Sequence, residues 1–110
     1  MRSTDQVLQR LRTSCAALPE TSETSSWGHP NFRAGNKTFA TFELIEGRPS
    51  IAFPLDGPDL RLLLRRKHFF PTPYGRSQWA SVWADAPLDW RFVADLLERS
   101  YRQVALQSKR

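Results

Sequence analysis

The stretch NFRAGNKTFATFELIEGRPSIAF, residues 31–53, decides the fold. Two runs, Asn31–Ala34 and Lys37–Leu44, flank Gly35-Asn36, a pair that tolerates positive φ and is the sequence sign of a tight hairpin turn. Along the second run Phe39 and Thr41 alternate with Ala40 and Phe42, so the two pairs are expected on opposite faces of a strand. A further turn at Glu46-Gly47 leads into Ser50–Phe53, which Pro54 ends. Strands joined by turns this short form an antiparallel meander.

Towards the N-terminus, the polar run Glu20–Ser26 reads as loop or edge strand, closed by the turn-rich Trp27-Gly28-His29-Pro30. Before it, Val7, Leu8, Leu11, Cys15 and Leu18 recur at three-to-four spacing, which predicts a helix over Thr4–Leu18, stopped by Pro19. Ser3 with Gln6 offers a capping box.

Towards the C-terminus, Pro58 and Asp59 favour the start of a second helix, read as Pro58–Lys67. Its last turn carries Arg65, Arg66 and Lys67, followed by His68, and cations are favoured at a helix C-terminus. Phe69–Gly75 is too proline-rich for a central strand and reads as a loop that packs its aromatics. Ser77–Ala84 alternates Trp79, Ser81 and Trp83 with Ala80, Val82 and Ala84, as a strand does. Asp89 is a good N-cap for a last helix whose apolar face is Val93, Leu96, Leu97, Tyr101 and Val104.

The order is thus a helix, three or four strands, a helix, one or two strands, and a helix. Three amphipathic helices need the sheet as their burial surface, so the expected fold is α+β, a two-layer sandwich with an antiparallel sheet. At 110 residues the chain is expected to form one domain over residues 1–110, without repeat or internal linker.

Four Trp and seven Phe supply enough apolar area for a core, which excludes a disordered chain. Neither a signal-peptide core nor a run of about 18 apolar residues is present, so a cytoplasmic protein without membrane association is expected. Cys15 is the lone cysteine. It excludes an intrachain disulfide and reads as a small core residue on the apolar face of the first helix. The net charge is +5 and the pI about 10.1, with the excess of Lys and Arg mostly in the second half. That balance favours anionic partners without identifying them.

Signs of chemistry are thin. His29 and His68 have no Asp or Cys partner at motif spacing, and no H-x-x-x-H or C-x-x-C occurs, so no catalytic residue and no metal are expected. Glu20, Glu23 and Glu43 read as ordinary surface acids. The five glycines form no phosphate-cradling loop, and no cofactor is expected.

Several pieces taken in order carry a likeness: Leu18-Pro19, Trp27-Gly28-His29-Pro30-Asn31-Phe32, Gly35-Asn36-Lys37-Thr38-Phe39-Ala40, Phe70-Pro71-Thr72-Pro73-Tyr74, Trp79, and Ser100-Tyr101. Together they resemble the MmcQ/YjbR family across nearly the whole chain. The resemblance implies a two-layer domain related to secretion-chaperone folds. It also implies the DNA-binding label given to the family because its sheet and loops were likened to a double-winged surface, which is itself a fold-level analogy. Trp27, Lys37, Arg76 and Trp79 are the positions carried over, the tryptophans serving equally well as framework. The polar run Ser22–Ser26 departs from the family pattern.

The expected function is therefore non-specific DNA binding, mainly through phosphate contacts from Lys37, Arg65, Arg66, Lys67 and Arg76, with Trp79 beside them. A solvated helix end is the plainer account of the Arg65–His68 run by itself. A protein-interaction module docking through the sheet or the Phe69–Tyr74 loop is the alternative. The oligomeric state stays open, with a monomer favoured.

Overall fold

The computed structural model describes residues 4–26, 28–73 and 78–108. The elements run α1 (Thr4–Ala16), β1 (Thr21–Ser26), β2 (His29–Ala34), β3 (Lys37–Ile45), β4 (Arg48–Pro54), α2 (Gly57–Leu63), β5 (Phe69–Pro71), β6 (Trp79–Trp83) and α3 (Trp90–Ser108). All strand pairs are antiparallel, and the six-stranded sheet has the order β1-β2-β3-β4-β6-β5. This is the expected α+β architecture of three helices with an antiparallel sheet.

The turns set the meander as their residues require. Gly35 alone takes a positive φ of 64° between β2 and β3, the mark of a type II′ turn. Glu46 and Gly47 both do so, at 51° and 81°, between β3 and β4, the mark of type I′. These twisted two-residue turns hold the strands in register.

Register then sorts the side chains. Phe42, Ile51, Val82 and Phe69 form one cross-strand row, and Phe53 pairs with Ala80 beside it. This face meets the helices: Phe69 packs edge-on to Phe92 of α3, and Arg12 of α1 pairs with Glu23 of β1. On the other face the row is Thr41, Ala52, Ser81 and Phe70. Its polar members are buried too, and Ser81 shares a hydrogen bond with Thr72 at 2.9 Å.

Phe39 departs from simple alternation. A bulge between β2 and β3 at Phe32/Arg33 turns it towards α3, where its ring meets Tyr101 edge-on at 5.5 Å. Phe39 and Ala40 therefore both enter the core, along with Val7, Leu11 and Cys15 of α1 and Val93, Leu97 and Val104 of α3. The expected separation of Phe39 from Ala40 and Phe42 is corrected by that extra residue, since a bulge re-aims a side chain.

Three boundaries also differ from the sequence reading. α1 ends at Ala16, where the chain turns before Pro19, with the Leu18 amide bonding to the Cys15 carbonyl. α2 ends at Leu63, four residues short of Lys67. The Arg65 and Arg66 amides bond back three residues, to Leu62 and Leu63, which tightens the chain into a turn. His68 then adopts a φ of 74°, and the strand that follows is β5. Residues 69–71 are thus an edge strand, not a loop; Pro71 is tolerated there because an edge needs fewer ladder donors. The Ser3 cap, Tyr74, Gly75 and Ser77 lie outside the described residues.

Candidate nucleic-acid interface

The basic segment owes its place to the short α2. That helix crosses beside the sheet, and the turn at residues 64–68 reverses the chain so that Phe69 pairs with Val82 and the Trp83 amide donates to the His68 carbonyl at 3.1 Å. Arg65, Arg66, Lys67 and His68 are all exposed on that turn. They sit beyond the helix end, so the helix-dipole account of the cluster weakens, because that field fades within the last turn.

At the same end of the molecule α3 begins. The Asp89 carboxylate accepts from the amides of Arg91 and Phe92, at 3.1 and 3.3 Å, which is the expected N-cap. Arg66 reaches across to this start, its guanidinium carbon 4.1 Å from the Phe92 ring centroid. Arg91 is exposed in the first turn, where a cation gains nothing from the helix. Arg91 escaped the sequence reading. Its signal was a cation at a position where acid is favoured.

Pairing separates some of the cations from these. Arg12, Arg48, Arg99 and Arg102 are spent on carboxylates: Glu23, Asp85, Asp95 with Asp59, and Glu98. Arg48 also lies 3.8 Å from the centroid of Trp83, which in turn stacks on Phe70 at 4.5 Å. By contrast, no carboxylate among the described residues lies within ion-pair distance of Arg65, Arg66, Lys67 or Arg91.

The residues expected to share one surface do not all meet. Lys37 opens β3 and Trp79 opens β6, at the end of the sheet where β4 finishes, whereas the Arg65–Lys67 turn lies at the end where β4 starts. A strand the length of β4 spans about 20 Å. Lys37 and Trp79 are thus separated from the basic turn, and Trp79 is half-buried. Arg76 and Trp27 lie outside the described residues.

The remaining candidates are resolved by burial and pairing. Cys15 is buried, and burial pushes its thiol pKa up to about 12. Glu23 faces α1 and Arg12, while Glu43 shares the opposite sheet face with Ser50, so these two acids do not converge. Among the described residues no group of three His, Cys, Asp or Glu is placed to hold a metal, and no helix is long and apolar enough to cross a membrane. What the basic end can do chemically is attract and hold anions.

Solved structures resemble this one, two bacterial proteins among them. A Pseudomonas syringae protein aligns with a TM-score of 0.67 at 19% identity, over 94% of this chain and 98% of its own. A Deinococcus radiodurans protein with the DUF419 domain aligns with a TM-score of 0.71 at 22% identity, over 94% of this chain and 82% of its own. At such identities the likeness is one of fold. Comparison with curated proteins finds no match. The YjbR family, however, matches residues 16–103, from the end of α1 through most of α3, and the chain belongs to that family.

Proposed function

We propose that this protein binds duplex DNA without sequence preference, through phosphate contacts from Arg65, Arg66 and Lys67 and from Arg91 at the start of α3. The observation that carries the reading is the grouping of unpaired charge: four other arginines are neutralised by carboxylates, Arg10, Arg33, Lys37 and Arg61 have no carboxylate partner among the described residues either, and Arg65, Arg66, Lys67 and Arg91 are the unpaired cations gathered where the basic turn meets α3. Unpaired surface cations release counterions from DNA on binding, which gives affinity without reading bases. The net charge of +5 supports approach to a polyanion. A cytoplasmic setting goes with this reading.

The test is fluorescence anisotropy with labelled duplex across a salt series, with single-stranded DNA and heparin as competitors. Four phosphate contacts give a slope of log affinity against log salt of about −3.6, from about −0.9 per contact. Absence of duplex binding at low salt rejects the reading.

One observation favours protein docking instead. Leu62 is 63% exposed, in a shallow groove with Pro58, Arg61, Leu64 and Arg65. Arg65 borders both this groove and the DNA contact, so the separating variant is the charge-neutral Leu62→Ser, which should leave duplex affinity unaltered.

A further inference from the structure

The helix-side face of the sheet is left unroofed at one corner. β5 is three residues long and α2 stops at Leu63. Between Phe69 and Val82 of the sheet and Phe92 and Val93 of α3 there remains a cavity of about 270 Å³, walled on its third side by Pro87 and Leu88. Arg66, Lys67 and His68 stand on its lip, with Asp89.

The lining divides by chemistry. The interior offers phenyl rings and aliphatic side chains, with no hydroxyl or amide side chain to orient a polar body. Polarity is confined to the lip. There the one acid, Asp89, already accepts from the Arg91 and Phe92 amides. Arg66 and Lys67 have no carboxylate partner among the described residues. Arg66 is also seated on Phe92, so one cation is held at the mouth. An apolar cleft with a few polar groups converging at one side is the general form of a small-molecule site, though this one lies just below the usual range of size.

We propose that this corner binds a small apolar carboxylate, its hydrocarbon body against Phe69, Leu88 and Phe92, with the buried Val82 and Val93 as the floor, and its carboxylate at Arg66 and Lys67. A neutral body of the same length satisfies the interior and leaves the lip cations unanswered. A bare anion satisfies the lip alone. The site shares two cations with the proposed DNA contact but needs the cavity, which DNA does not.

The test uses octanoate, 1-octanol and acetate as probes, followed by calorimetry and by chemical-shift changes at Leu88, Phe92 and Val93. Octanoate is expected to bind saturably, at least ten times tighter than either octanol or acetate. Leu88→Trp, which fills the cavity, should abolish octanoate binding and leave duplex affinity unchanged. The exposed pair Arg66→Glu/Lys67→Glu should weaken octanoate at least ten-fold, and decides the matter should the tryptophan variant fail to fold. Octanol binding as tightly as octanoate, or octanoate binding indifferent to the charge-reversed pair, overturns the proposal.

Discussion

Arg66 lies with its guanidinium carbon 4.1 Å from the centroid of Phe92, joining the basic turn after α2 to the first turn of α3. The contact is a cation–π interaction at a partly exposed ring, worth about 0.5–1 kcal/mol. Phe92→Leu removes the quadrupole together with the edge-on contact to Phe69, so by itself it should cost more than that amount. A double-mutant cycle with Arg66→Met should return a coupling of the cation–π size alone in denaturant titration. Simple additivity of the two variants would show that Arg66 is not held by the ring.

The far end of α3 is tied to the sheet by a different bond. The fully buried Ser100 hydroxyl donates to the Pro54 carbonyl at 2.7 Å, across 46 residues of sequence. Ser100→Ala should cost about 1–3 kcal/mol, because a buried acceptor loses a partner. Phe39→Ala, at a fully buried ring, should cost about 3–5 kcal/mol. Urea unfolding checks both, and the larger loss is expected at Phe39.

Asp85 gives a pH dependence with a definite sign. The hydrogen-bonded Arg48 guanidinium holds its carboxyl below the ordinary value of 3.8. A carboxyl depressed in the folded state stabilises above its unfolded value and ceases to do so as pH falls through the folded one. The difference in Tm between the native protein and Asp85→Asn should therefore be steady near neutrality and close as pH drops below 3.8. High salt should shrink it too, since the pair is exposed. A difference that widens in acid would contradict the pairing.

Cys15 should be inert in the folded chain. Raising its pKa from 9.0 to about 12 lowers the thiolate fraction near neutrality on the order of a thousandfold. A thiol-specific disulfide reagent at pH 8 should label denatured protein within minutes and native protein only as fast as the chain opens. Rapid native labelling would place Cys15 at the surface.

Where local chemistry decided an element, the sequence was enough. Gly35 and the Glu46-Gly47 pair announced the meander, Asp89 announced α3, and Val93, Leu97 and Val104 announced its buried face. Long-range effects were not legible. The early end of α2 follows from Phe69 pairing with Val82, which outweighs the helix propensity of Leu64–Lys67 and is invisible to periodicity. Phe39 left its expected face because it is itself the extra residue of a β3 bulge, opposite Phe32 and Arg33, which alternation along one strand does not reveal. For the candidate site, the sequence named Arg65, Arg66 and Lys67 but grouped them with Lys37 and Trp79, which the strand order carries to the other end of the sheet. It missed Arg91, whose relevance depends on where α3 starts in space.

The most direct test compares two charge reversals in duplex titrations across salt. Arg65→Glu/Arg66→Glu/Lys67→Glu should weaken binding by at least ten-fold and make the log–log salt slope shallower by about 2.7, from three lost contacts at about 0.9 each. Lys37→Glu, far from that turn, should shift affinity by less than about two-fold, within the reach of net charge alone. Unchanged binding in the triple variant, or an equal loss in both, would contradict the assignment of DNA contact to the basic turn.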